Sequence, residues 1–180
     1  MKKLFLGIAI AASSLTFAQQ FGAKAGLNVS NLSNSELNSK AGFYAGVFMN
    51  APLSAQFNIQ PELLYNNLGA KESGYKLNLD YISVPVMFQY KATPQFFLEA
   101  GPQFNVLVSA KAKEGSNSID IKDEVKGFDF GLGLGAGYWF TEKIGANVRY
   151  VAGLSDIAKD NEGGDAAKNN GFQVGLNYKF

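Results

Sequence analysis

Phe128-Asp-Phe-Gly-Leu-Gly-Leu-Gly-Ala-Gly-Tyr-Trp139 decides the fold. Phe128, Phe130, Leu132, Leu134, Ala136 and Tyr138 alternate with Asp129, Gly131, Gly133, Gly135, Gly137 and Trp139. A period of two belongs to an extended strand, in which successive side chains point to opposite faces. One face here is wholly apolar, and the other holds an acid and four glycines. The G-x-G run has neither the spacing nor the following helix of a dinucleotide fingerprint. In a strand, such glycines let a narrow barrel curve and leave room for side chains from across the lumen.

The same alternation returns on both sides of this stretch. Upstream, Phe57, Ile59, Pro61, Leu63 and Tyr65 oppose Asn58, Gln60, Glu62, Leu64 and Asn66. Ile82, Val84, Val86, Phe88 and Tyr90 oppose Tyr81, Ser83, Pro85, Met87 and Gln89. Phe96, Leu98, Ala100, Pro102, Phe104, Val106 and Val108 oppose Phe97, Glu99, Gly101, Gln103, Asn105, Leu107 and Ser109. The first strand sets Phe21, Ala23, Ala25, Leu27 and Val29 against Gly22, Lys24, Gly26 and Asn28. Downstream, Ile144 to Gly153 and Phe172 to Phe180 continue the pattern, with Arg149 and Lys179 on the polar face. Phe43 to Met49 is apolar on both faces, and alternation does not orient it. No mature segment has a sustained helical period. The sum is eight strands, an even number.

Connection lengths alternate as well. Pro52 to Ala55, Ala92 to Pro94 and Thr141 to Glu142 are short, whereas about Lys111 to Val125 and about Ser155 to Asn170 are long and polar. Short periplasmic turns and long outer loops are the habit of outer-membrane barrels, so both termini are expected in the periplasm. Strands of about 9–11 residues suffice to cross when tilted. Every backbone donor and acceptor in lipid must be paired, so the first strand must meet the last.

A soluble barrel would turn its apolar face inward, and alternation alone cannot decide between the two. Apolar-out is favoured because glycines and charges share the polar face and aromatics recur near strand ends. Tyr65, Tyr90, Tyr138, Tyr150 and Tyr178 fit interfacial girdles. The expectation is an all-β, eight-stranded antiparallel up-and-down transmembrane β-barrel over residues 19–180, in contact with outer-membrane lipid.

The amino terminus supplies the route. Lys2 and Lys3 precede an apolar run from Leu4 to Ala12, and Thr16-Phe17-Ala18 is a small-x-small site, so residues 1–18 read as a cleaved signal peptide. Composition narrows function. The 180 residues contain no cysteine and no histidine, which removes thiolate nucleophiles, lipoprotein anchoring and the usual general base. The 16 Lys+Arg are scattered among 15 Asp+Glu, giving no concentrated basic surface for nucleic acid. No cofactor and no catalytic residue is expected.

Several stretches together resemble the small outer-membrane barrel proteins of Bacteroidetes often labelled PorT-family. They are Phe21-Gly-Ala-Lys-Ala-Gly-Leu-Asn28, Gln60-Pro-Glu-Leu-Leu-Tyr65, Tyr81-Ile-Ser-Val-Pro-Val86, Leu98-Glu-Ala-Gly-Pro102, Phe128-Asp-Phe-Gly131, Arg149-Tyr150 with Gly153-Leu154, and Tyr178-Lys-Phe180. The resemblance implies fold and location, and the terminal Phe180 looks like the aromatic end read by the barrel-assembly machinery. It does not imply one activity, because the name comes from a member needed for protein secretion.

The candidate site is a lumen charge network of Lys24, Glu62, Glu99, Asp129, Arg149 and Lys179. An unpaired buried charge is costly, so these should pair in a narrow lumen. An eight-stranded barrel is only just wide enough for side chains to fill it, which favours a plug over a selectivity constriction or a Glu62–Glu99 carboxylate site. Asp156, Asp160, Glu162 and Asp165 lack the spacing of a calcium loop and read as solvated loop. The expectation is a non-enzymatic barrel with a structural or surface-interaction role. The alternatives are an accessory component of secretion or envelope assembly and a narrow, porin-like pore. A surface or secretion partner is not identified.

Overall fold

The computed structural model describes residues 19–33, 38–72, 74–114, 117–157 and 167–180. The segment read as a signal peptide lies outside them, as do Asp160, Glu162 and Asp165. Among the described residues nine antiparallel strands form: β1 (Gln20–Leu32), β2 (Asn38–Pro52), β3 (Phe57–Glu72), β4 (Tyr75–Lys91), β5 (Phe96–Glu114), β6 (Asn117–Asp120), β7 (Phe128–Trp139), β8 (Ile144–Gly153) and β9 (Asn169–Lys179). Eight close a barrel, with β1 paired to β9 as closure demands; β6 is a short addition along the end of β5.

The apolar residues of the period-two pattern point out. Leu27, Leu63, Phe88, Leu134 and Leu176 are each about half exposed or more, while Lys24, Asn28, Gln60, Glu99 and Arg149 are buried. Aromatic pairs ring the wall at both levels. Phe57–Tyr90, Tyr138–Phe140 and Tyr178–Phe180 lie near the short turns, and Phe43–Tyr65 and Phe104–Phe130 lie toward the long loops.

β2 turns Tyr44 and Phe48 inward and Phe43 and Val47 outward. The reason lies across the ladder. Gly26 is opposite Tyr44 and Gly22 is opposite Phe48. A Cβ on Gly22 would stand 2.3 Å from the Phe48 ring, and one on Gly175 would stand 2.2 Å from the Tyr44 hydroxyl. Each ring lies over bare backbone on its neighbours.

The three short turns share one device. Ser54, Thr93 and Thr141 each accept a hydrogen bond at the side-chain oxygen from the backbone N–H three residues on, at Phe57, Phe96 and Ile144, at 3.1, 2.9 and 2.9 Å. Each hydroxyl satisfies a donor that the turn would leave open. β1 begins and β9 ends at this rim, where the Phe180 N–H donates to the Phe21 carbonyl at 3.0 Å.

The opposite rim is uneven. β3, β4 and β5 have 16, 17 and 19 residues, against 12, 10 and 11 for β7, β8 and β9. Because the short-turn ends are in register, the extra length rises as a wall on one side. The stretch from Lys111, expected as loop, instead continues β5 and folds back as β6. The two-residue period continues here, with Ala110 and Ala112 alternating with the exposed Lys111 and Lys113.

Candidate functional site

The wall strands bring a stack of layers into the lumen. Nearest the short turns is an open cup of about 270 Å³, lined among others by Asn58, Gln89, Lys91, Trp139 and Lys179. Lys179 stands here, 3.8 Å from the centre of the Trp139 ring, a cation–π contact rather than an ion pair. Above the cup lies a layer of amides. Asn50 Nδ2 donates to Gln60 and Gln89 at 2.9 and 2.7 Å, and Asn58 Nδ2 donates to Asn50 at 2.8 Å.

The next layer holds four charges. Arg149 Nη1 and Nη2 grip the two oxygens of Glu62 at 3.0 and 2.8 Å, and its Nε donates to Glu99 Oε1 at 2.8 Å. Lys24 Nζ reaches Glu62 Oε1 at 3.0 Å. The amide layer adds one donor to each carboxylate, from Gln60 to Glu62 Oε1 at 2.8 Å and from Gln89 to Glu99 Oε2 at 3.1 Å. Two cations and two anions leave the layer neutral. A fork of planar donors is what arginine adds over lysine here, since it binds one carboxylate at two points and still reaches a second.

Position follows from topology. The four charges come from β1, β3, β5 and β8, which are alternate strands around the ring, and inward residues of alternate strands share a level in a closed barrel. Glu99 and Arg149 are both opposite Gly135. A Cβ there would lie 3.1 Å from Glu99 Oε1 and 3.1 Å from the Arg149 Cα, so the bare strand between them lets the pair meet.

Asp129 does not join this layer. It is six residues from Gly135 on β7, a separation of about 20 Å along a strand. There its carboxylate accepts from Ser155 Oγ at 2.6 Å, Asn169 Nδ2 at 3.1 Å and Asn105 Nδ2 at 3.4 Å. The void beside it, lined by Asn28, Gln103, Asn105 and Asp129 among others, measures about 10 Å³, no more than one water's worth.

Above Asp129 the lumen becomes apolar. Leu32, Leu68, Leu77, Leu79, Tyr81, Leu107, Ala110, Val125 and Ile157 form one buried cluster. Val125 and Ile157 come from the long connections, which are tied together by the Lys126 N–H donating to the Ile157 carbonyl at 2.7 Å. The polar composition of those loops hid this lid. A signal was present in β4, whose inward positions run Gln89, Met87, Pro85 and Ser83 and then end in the apolar series Tyr81, Leu79 and Leu77 toward the long loops. Asp156 is tied into the same loop, accepting from the Ala167 N–H at 3.0 Å and lying 3.8 Å from Lys126 Nζ.

Residues 17–159 match the family model described as outer membrane protein beta-barrel domain. No curated protein matches the chain in sequence. Among solved structures, Neisserial surface protein A has a similar fold at TM-score 0.59 and 12% identity, covering 90% of this chain and 97% of its own. Ail, the attachment invasion locus protein of Yersinia pestis, is similar at TM-score 0.56 and 14% identity, covering 91% of this chain and all of its own. These likenesses are of fold. The family match spans β1 to β8 and the barrel closes with its apolar side chains outside, and on these grounds the chain belongs to the outer membrane protein beta-barrel domain family, with its exposed apolar band against membrane lipid.

Proposed function

We propose that the protein is a closed, non-enzymatic barrel with a structural or surface-interaction role, in which Lys24, Glu62, Glu99 and Arg149 form a salt-bridged plug. The observation that carries this reading is the neutral four-charge layer, completed by amides on one side and capped beyond Asp129 by an apolar lid. Both glutamates are engaged by Arg149, so neither stands free as an acid or base toward a cleft.

In this reading residues 1–18 are removed as a signal peptide, the short turns and both termini lie in the periplasm, and the long loops and tall wall face outward. The family match begins at residue 17, beside the proposed cleavage site. Kinship to PorT-family barrels belongs to the same proposal, as fold and location and without the secretion role. Two barrels of similar fold are, by their own names, a surface protein and an attachment protein, which accords with a surface role.

Conductance tests the plug. Purified barrel in planar bilayers is expected to give no steady ion current. A persistent current whose selectivity changes in Arg149→Ala would replace the plug with a narrow pore. Unboiled protein from outer membranes should also run ahead of boiled protein on a gel, as a compact barrel does.

The carboxyl-terminal aromatic invites a second test. Phe180 is 71% exposed and contacts Tyr178 edge-on. If it is the signal read by the assembly machinery, deleting it should sharply lower the heat-modifiable fraction in cells while leaving refolding in detergent unchanged. Equal loss in both settings would make Phe180 a structural residue only.

A further inference from the structure

The outward face of the tall wall carries a row of like charges. Lys71 on β3 is directly opposite Lys76 on β4, and Lys76 is directly opposite Lys113 on β5. All three are exposed, and none makes an ion pair with any described residue. Lys111, two residues below Lys113, faces Asn78 on β4 and Asp120 on β6. Adjacent strands are about 4.8 Å apart, so the backbone positions of the three lysines span about 10 Å. Like charges directly opposite each other destabilise a sheet. Neighbouring acids do not relieve them: Glu72 and Glu114 have the opposite parity at the wall's tip, and Asp80 accepts from Asn67 at 2.5 Å.

Height decides what could. On these strands the outward residues Tyr65, Ile82 and Val106 are register partners near the outer edge of the apolar band. Lys71 and Lys76 stand six residues beyond Tyr65 and Ile82. At about 3.3 Å per residue and a tilt of about 40°, the row lies about 15 Å above that edge. It faces sideways, toward whatever projects from the surrounding leaflet. The inner face of the same wall is committed to the apolar lid through Leu77, Leu79 and Ala110.

We propose that Lys71, Lys76 and Lys113 form a binding surface for the phosphate-bearing sugar core of an outer-leaflet glycolipid. The proposal rests on the outward orientation of the tall wall given above. Clustered cations beside a membrane gain attraction to anionic headgroups with each residue added, and the attraction is weakened by salt.

The test uses the whole folded barrel in detergent, titrated with lipopolysaccharide, dephosphorylated lipopolysaccharide and inorganic phosphate. Wild type should bind the phosphorylated glycolipid, with affinity falling as salt rises, and should bind the dephosphorylated form and free phosphate far more weakly. The variant Lys71→Gln/Lys76→Gln/Lys113→Gln should keep its unboiled gel mobility and lose at least tenfold in affinity, while the matching triple arginine variant should retain binding. Unchanged affinity in the glutamine variant, or equal binding of dephosphorylated glycolipid, overturns the surface. Binding of free phosphate as tightly as glycolipid reduces it to an adventitious ion site and also overturns it. The chain has no cysteine, so Lys76→Cys provides a unique label on intact cells. Labelling from outside with no lysine-dependent binding defeats this surface alone. Absence of labelling from outside defeats the orientation, and the surface with it.

Discussion

Arg149→Met should destabilise the barrel by about 3–5 kcal/mol, the cost of removing one partner from a buried ion pair. The substitution keeps most of the side chain's volume and removes every donor that Glu62 Oε2 and Glu99 Oε1 receive from the guanidinium. Both carboxylate side chains are fully buried, so water cannot replace the lost charge without opening the lumen. The midpoint of unfolding in urea, followed by loss of unboiled gel mobility, measures the effect. The fourfold variant Arg149→Met, Glu62→Gln, Glu99→Gln, Lys24→Met should recover most of the loss, since it removes both signs together. A single variant as stable as wild type would mean that the four charges are not coupled as the geometry has them.

Gly135→Val should cost about 3 kcal/mol or more, through overpacking and through separation of an ion pair. Its Cβ would lie 2.5 Å from the Val148 carbonyl oxygen, which is backbone and cannot rotate away. Its methyls would enter the space in which Glu99 meets Arg149. Gly127→Ala is the control, because nothing lies within 4 Å of a Cβ there and the change should stay within about 0.5 kcal/mol. Equal tolerance of both changes in thermal unfolding would show that Gly135 does not hold the pair open.

Both effects concern residues whose face could be read from alternation but whose neighbours could not. Period two assigned Lys24, Glu62, Glu99, Asp129, Arg149 and Lys179 to one side of the sheet. It carries no information about height, which depends on the stagger between strands. Asp129 therefore ends near Ser155 and Asn169, and Lys179 ends over Trp139, while the other four share a level. The orientation of Phe43 to Met49 was hidden for a related reason, since it depends on Gly22 and Gly26 of a different strand. The amides Asn50, Gln60 and Gln89 are legible as polar positions on the inward face, but being uncharged they give no sign of pairing with the ionic layer. The lid was the least legible part of the molecule. Val125 and Ile157 are isolated apolar residues within polar runs, and only folding of the wall supplies the surface they cover.

The charge layer also bears on how the chain is built. Glu62 and Arg149 are 87 residues apart, on the third strand and on the last but one. A sheet made of β1 to β5 alone holds Glu62 beside Lys24 but leaves Glu99 without the guanidinium that meets it in the closed barrel, and an unpaired carboxylate is costly away from water. Glu99 gains its cation only in an arc that includes β8, the neighbour of β9, and β9 closes the ring on β1. Neutralising the interior and shutting the ring are thus nearly a single event, so the arginine acts as a latch that rewards the finished circle and penalises every arc short of it.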